Sequence, residues 1–135
     1  MKGFDVQGID FDVPRSKALA FIGDPTQLPK WASAFASVSE GRAVMRTANG
    51  EVGIDLEVRV SAGEGTVDWQ MIFPDGSAAT AYSRVVAVGR DRCIYSFVLT
   101  PPPVPLEELE GALEAQSRTL AEELRRLKEI LEHDA

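Results

Sequence analysis

Few residues in this chain could carry catalytic or metal-binding chemistry. It has one histidine, His133, and one cysteine, Cys93, so a zinc-type set of Cys and His ligands cannot be assembled. His133 stands too near the C-terminus for a Ser-His-Asp arrangement, and we expect it to face solvent at a helix end. Cys93 lies in an apolar, strand-like run and is predicted to be a buried structural thiol. We therefore expect no metal and no cofactor, and any enzyme chemistry would depend on Asp, Glu, Tyr or Arg.

The second set of candidates lies on two strands joined by a turn at Asp75-Gly76. Asp68 on the first strand and Arg84 on the second are predicted to form a cross-strand ion pair. On an outer face this pair would be a surface salt bridge of little energetic weight. If the polar side of these strands faces inward, the pair would instead orient an anionic or hydroxylated ligand, and Tyr82 would lie beside it.

Gln116 is the third candidate, because it interrupts a stripe of leucines at a position predicted to face the sheet. A buried amide is unfavourable unless its hydrogen bonds are satisfied. Two interpretations remain open: a backbone group or trapped water satisfies Gln116, or the amide meets a polar group on a ligand.

Composition excludes several classes of protein. The chain has 135 residues, enough for one domain (1–135) with a substantial core, and 44% of its residues are hydrophobic. The net charge of −7, with basic residues interspersed among Glu, disfavours nucleic-acid binding. No apolar run is long enough to cross a membrane, and the first residues lack the apolar core of a signal peptide. These features predict a cytoplasmic protein.

The pattern of elements predicts an α+β fold. An alternating segment ending at Val13-Pro14 predicts a first strand, and two short helices follow, one capped by Ser16 and one over 26–32. Strong turn signals then separate hairpin strands, the clearest over 51–62, which gives a curved antiparallel sheet of about six strands. The turn signals are Asn49-Gly50, Gly63-Glu64-Gly65, Pro74-Asp75-Gly76 and Arg90-Asp91-Arg92. A stiff proline-rich connector is predicted at 101–105.

A long amphipathic helix completes the chain. Its apolar stripe repeats over eleven residues, about 3.67 per turn, which is typical of a straight helix lying on a sheet rather than of a left-handed coiled coil. The stripe comprises Leu109, Leu113, Gln116 (the exception), Leu120, Leu124, Leu127 and Leu131. A curved sheet around one terminal helix tends to enclose a cavity, and small residues such as Ala79 and Ala81 could leave space there or allow close packing.

Three segments together resemble the START-related, or SRPBCC, superfamily, whose fold is called helix-grip. They are Val13-Pro14, the run from Phe21-Ile22-Gly23-Asp24-Pro25 to Leu28-Pro29-Lys30-Trp31-Ala32, and Glu123-Leu124-Arg125-Arg126-Leu127-Lys128. The chain looks most similar to short bacterial proteins labelled polyketide cyclase or dehydrase. These segments are packing and turn signatures, so they are more specific for fold than for function. The resemblance implies a cavity between the sheet and the C-terminal helix that takes hydrophobic small molecules.

We expect the chain to bind a hydrophobic or aromatic small molecule, lipid or polyketide-like, in that cavity, as a monomer or weak homodimer. The expected ligand-binding residues are Trp31, Phe35, Asp68, Trp69, Met71, Tyr82, Arg84, Tyr95, Phe97, Leu113, Gln116 and Leu120. One alternative is an enzyme of the cyclase or dehydratase kind, in which Asp68, Tyr82, Arg84 or Tyr95 polarises a carbonyl or moves a proton. A second alternative is a co-chaperone-like interaction module with a filled core and an exposed apolar patch.

Overall fold

A computed structural model describes residues 4–47, 50–100 and 106–133, with the side chains of 47 and 106–113 left out. In chain order the helices are α1 (Arg15–Ile22), a 3₁₀ turn (Pro25–Gln27), α2 (Leu28–Trp31) and α3 (Leu106–His133). The strands are β1 (Asp5–Phe11), β2 (Phe35–Ser39), β3 (Arg42–Thr47), β4 (Gly50–Ser61), β5 (Thr66–Ile72), β6 (Ala78–Ala87) and β7 (Cys93–Leu99). The predicted α+β helix-grip arrangement, with two short helices after the first strand, is confirmed. The proline-rich connector predicted at 101–105 lies outside the described residues.

All described strands form one antiparallel sheet in the order β1-β7-β6-β5-β4-β3-β2. The sheet has seven strands, so the prediction of about six was wrong. The additional hairpin joins β2 and β3 through Glu40 and Gly41, with Ser39 opposite Arg42. Its strands are short, and Glu-Gly is a weaker turn signal than Asn-Gly or Asp-Gly, although Gly41 does adopt the positive φ of +74°.

The inner face of the sheet carries the core, and β4 shows why. Ile54 and Leu56 are buried there, whereas the intervening Asp55 and Glu57 are exposed, as the period of two predicts. Val60 belongs to the same apolar series but is 48% exposed, since it lies near the end of the longest strand. The alternation therefore identifies the covered face correctly except at the end of the strand.

The two short helices pack under the sheet, although α1 begins differently from the prediction. Pro14, not Ser16, is its N-cap, and no side chain caps the helix. The Pro14 carbonyl accepts from the backbone N–H groups of Lys17 and Ala18 at 3.1 and 3.2 Å, which meets two of the first-turn donors. The second predicted helix divides into the 3₁₀ turn and α2, where the expected anchors Leu28 and Trp31 are buried.

Helix α3 packs through the second half of its apolar stripe. Its buried leucines are Leu120, Leu124, Leu127 and Leu131, which confirms the predicted face over that range. Near the end of the helix, the Lys128 ammonium donates to Asp10 O at 2.6 Å and to the Glu132 carboxylate at 2.8 Å. The Glu132 carboxylate also accepts from the Asp12 N–H at 2.8 Å, so this end of α3 is tied to the end of β1.

A second polar attachment holds α3 to β1 farther along the helix. The Gln7 amide donates to Ser117 O at 2.8 Å, and the Ser117 hydroxyl donates to the Asp5 carboxylate at 2.5 Å. These two attachments place α3 over β1, which leaves the other side of the helix facing the middle of the sheet.

The lone cysteine and the lone histidine lie where the sequence predicted. Cys93 is fully buried, and burial raises the pKa of its thiol, as expected for a structural cysteine. His133 is exposed on the last turn of α3. Across the described ranges, no helix combines the length and apolar character needed to cross a membrane.

Candidate functional site

A cavity of about 440 Å³ lies between the inner face of the sheet and α3. Its wall is built by α2 and the segment after it, by strands β2, β3, β5, β6 and β7, and by the part of α3 around 115–123. Small-molecule sites usually measure about 300–1,000 Å³ and are mostly apolar. This cavity is within that range.

Aromatic rings form the deepest part of the wall. The Trp31 and Trp69 ring centroids are 6.1 Å apart with their planes at 60°, and Trp69 stacks on Phe97 at 5.9 Å. Phe35 and Met71 extend this surface. Seven of the twelve predicted ligand-binding residues line this cavity: Trp31, Phe35, Trp69, Met71, Phe97, Gln116 and Leu120.

Small residues on β6 leave space beside the large side chains of β5. Ala81 lies opposite Trp69 and Ala79 opposite Met71 in the β5–β6 register, and both alanines line the cavity. A large residue paired with a small one at each position leaves volume above the alanine. The sequence left open whether these alanines leave space or allow close packing, and in the structure they border a cavity.

The two indole N–H groups in this wall have no hydrogen-bond partner among the described residues. Trp31 Nε1 and Trp69 Nε1 are fully enclosed by neighbouring groups, so a molecule in the cavity does not reach them without local rearrangement. These tryptophans therefore contribute apolar surface rather than hydrogen bonds to the cavity.

Tyr95, another predicted site residue, lies in the core beyond the cavity wall. Its side chain is fully buried, and burial raises the pKa of its phenol well above the usual range. The neighbouring Ser83 hydroxyl offsets only part of this shift, since it donates its own proton to Val67 O at 2.6 Å. Tyr95 is therefore a neutral core residue that stacks on Phe11 at 6.1 Å.

The predicted Asp68–Arg84 ion pair was wrong. Asp68 lies opposite Tyr82, and Arg84 lies two residues farther along β6, opposite Thr66. Arg84 Nε instead donates to Glu64 O at 2.9 Å, and Arg84 Nη2 is 3.7 Å from the Glu64 carboxylate. The polar side of these strands faces outward, where Tyr82 is 48% exposed, so the idea of an inward ion pair orienting a ligand is overturned.

Gln116 lines the cavity, but its side chain is exposed rather than buried against the sheet. Ser117, the next residue, contacts β1, whereas the Gln116 side chain borders the cavity, where an amide can be hydrated. The expected cost of a buried amide therefore does not arise. Leu113 lies outside the residues whose side chains are described.

A cluster of polar groups at the cavity rim escaped the sequence analysis. Arg46 Nη1 donates to Ser33 O at 2.9 Å and to Phe35 O at 3.3 Å. From the opposite side, the Glu123 carboxylate accepts from the Ser33 N–H at 2.5 Å and from the Ser33 hydroxyl at 2.9 Å. Ser33 thus links β3 to α3 across the rim.

The sequence contained a signal for Glu123 but none for Arg46. Glu123 follows Leu120 by three residues and precedes Leu127 by four, a spacing that places all three on the same helix face. Arg46 belongs to a short strand whose neighbours in space are not apparent from its own sequence.

Burial raises the pKa of the Glu123 carboxyl above its ordinary value, and the hydrogen bonds from Ser33 reduce that rise without cancelling it. The folded state therefore holds the Glu123 proton more tightly than the unfolded chain does. The stability from this group is fully present below the unfolded pKa of about 4.3 and is lost as pH rises through the folded pKa.

Replacing Glu123 with glutamine should remove this pH dependence. We expect the Tm of Glu123→Gln, relative to the parent protein, to increase by about 2 °C between pH 4 and pH 8. Thermal unfolding followed by circular dichroism would measure it, with Glu122→Gln as the exposed control on the same helix. An equal change for both variants would contradict the burial of Glu123.

No constellation of three or more His, Cys, Asp or Glu side chains suited to a metal ion occurs in the described part of the chain. Among the described residues that line the cavity, the charged side chains are Arg46 and Glu123.

Comparisons with known proteins identify the fold. No family model matches the chain, and no curated protein does either. A START superfamily protein from Mycobacterium smegmatis superposes with a TM-score of 0.70 at 12% identity, covering 95% of this chain and 96% of its own.

Two further solved structures show the same likeness. The Zhui aromatase/cyclase from Streptomyces sp. R1128 has a TM-score of 0.70 at 10% identity, over 95% of this chain and 92% of that chain. The XoxI protein from Bacillus cereus has a TM-score of 0.68 at 15% identity, over 96% of each chain. The chain therefore has the START-like helix-grip fold, as its sequence segments suggested.

Proposed function

We propose that this protein binds a hydrophobic or aromatic small molecule, lipid or polyketide-like, in the cavity between the sheet and α3. The observation that supports the proposal is the cavity of about 440 Å³, lined by the rings of Trp31, Trp69 and Phe97 and by the small side chains of Ala79 and Ala81. An apolar guest gains roughly 25 cal/mol for each Å² that it removes from water.

The likeness to an aromatase/cyclase supports an aromatic guest, since a protein of that name has the same fold. The enzyme alternative has less support from geometry. Tyr82 and Arg84 lie on the outer face, and so does Asp68, which is opposite Tyr82. Tyr95 lies in the core, and Glu123 accepts from the Ser33 hydroxyl and N–H. Binding is therefore the function that the site favours.

The interaction-module alternative predicts a filled core together with an exposed apolar patch. Exposed apolar side chains do occur on the outer face of β6 and β7, where Val86 and Ile94 are directly opposite each other and 43% and 42% exposed. A cavity of about 440 Å³ on the inner face argues for the small-molecule function instead.

Two measurements test the proposal. Native mass spectrometry of freshly purified protein, followed by solvent extraction, should reveal a co-purifying apolar compound. The neutral fluorescent probe N-phenyl-1-naphthylamine should bind with a blue-shifted emission and a Kd of order 10 μM, and urea-unfolded protein serves as the control. A bare-chain mass together with no probe binding by the folded protein would contradict the proposal.

A further inference from the structure

Arg46 is the only cationic side chain among the described residues that line the cavity. It lies at the rim, on β3, where the cavity meets the segment between α2 and β2. The other polar groups near this opening are neutral, such as Thr119 and Gln116, or acidic, as Glu123 is.

Within the described ranges, the guanidinium of Arg46 is hydrogen-bonded through only one of its nitrogens, Nη1. Its Nη1 donates to the carbonyls of Ser33 and Phe35, which fixes the plane of the group against the rim. Among the described residues, no hydrogen-bond acceptor is found for Nε and Nη2. A guanidinium edge of this kind matches the two oxygens of a carboxylate or sulfonate.

Two acidic residues in the described part of the chain lie near Arg46, and neither forms an ion pair with it. Glu51 is opposite Arg46 in the β3–β4 register, and Glu123 is at the rim. The Glu123 carboxylate accepts the N–H and O–H of Ser33, whereas Arg46 contacts the carbonyl of the same residue. Arg46 and Glu123 therefore bind different atoms of Ser33, and Nε and Nη2 of Arg46 are not used in this contact.

We propose that the ligand is amphipathic, with an apolar body in the cavity and one anionic group bound by Arg46 at the rim. This inference rests on the proposed function and adds the chemical class of the ligand. The chain carries a net charge of −7, which repels anions in general, so a preference for an anionic guest must come from this local site.

A pair of probes with the same ring system tests the inference. N-phenyl-1-naphthylamine is neutral, and 8-anilinonaphthalene-1-sulfonate adds one sulfonate to it. Arg46→Gln should weaken binding of the sulfonate by about fivefold, as for a charged hydrogen bond at a partly exposed position, and leave the neutral probe within about twofold. Arg46→Lys, which keeps the charge, should retain more sulfonate affinity than Arg46→Gln.

Arg84→Gln is the matched control, because it removes the same charge from the outer face of the sheet. Equal sulfonate affinities in Arg46→Gln and Arg84→Gln would overturn the inference. An equal loss of affinity for both probes in Arg46→Gln would also overturn it, since that would mean that Arg46 only holds the Ser33 segment. If the parent protein binds the neutral probe, the proposed function stands even where the inference about Arg46 is overturned. If neither probe binds the parent protein, the proposed function itself fails.

Discussion

Gly65→Ala is expected to lower the free energy of unfolding by about 3 kcal/mol, through backbone strain and steric overlap together. Gly65 adopts φ +76°, and a Cβ built there would lie 2.2 Å from Val85 O, a backbone atom that cannot move aside as a side chain can. The same carbonyl accepts from Arg15 Nε at 3.2 Å, and the Val85 N–H donates to Gly65 O at 2.8 Å. The added methyl would therefore disturb the contact between Arg15 of α1 and Val85 of β6 as well.

Gly76→Ala is the matched control for this prediction. Gly76 also has a positive φ, +88°, but no atom lies within 4 Å of a Cβ at that position. Gly76→Ala should lower the free energy of unfolding only by the cost of a positive φ in alanine, about 1 kcal/mol. Urea unfolding followed by circular dichroism gives both values, and equal losses would contradict the close approach of Gly65 to Val85.

Ala81→Phe should abolish binding in the cavity while leaving the protein folded. Ala81 lies opposite Trp69 and lines the cavity, so a phenyl ring at this position would occupy the space proposed for the ligand. We expect the affinity for N-phenyl-1-naphthylamine to fall at least about a hundredfold, or ~2.7 kcal/mol. Filling the cavity should hold the free energy of unfolding constant or raise it by about 1 kcal/mol.

Val86→Phe provides the control on the same strand. Val86 is exposed on the outer face, so a phenyl ring there adds apolar surface without reaching the cavity. Probe affinity should remain within about twofold of the parent value. Parent-like binding by Ala81→Phe combined with altered binding by Val86→Phe would place the probe on the outer face and contradict the proposed site.

Local patterns allowed much of the fold to be predicted. The alternation along β4 identified Ile54 and Leu56 as core residues, and the eleven-residue repeat identified the buried face of α3 from Leu120 to Leu131. Each pattern works because burial of one face recurs with the period of the element itself. The β2–β3 hairpin was missed because its turn, Glu40-Gly41, is a weak signal between two short strands.

The site was predicted in part, and the predictions that were wrong share one cause. Trp31, Trp69 and Phe97 were predicted as wall residues because large apolar side chains are expected inside a fold that encloses a cavity. Asp68 and Arg84 were paired by assuming a register that differs from the observed one by two residues. Register and helix placement depend on contacts between distant segments, which no single stretch of sequence records.

By itself, the sequence determined which faces of β4, β5 and the second half of α3 are apolar, and therefore that a sheet and a helix bury them against each other. Only the tertiary structure decided that α3 is attached along β1, that Ala79 and Ala81 face open space, and that Arg46 and Glu123 meet at Ser33. The physical reason is the distance along the chain over which each feature is defined. Periodic burial is a property of one element, whereas a cavity and its rim exist only in the distances between elements.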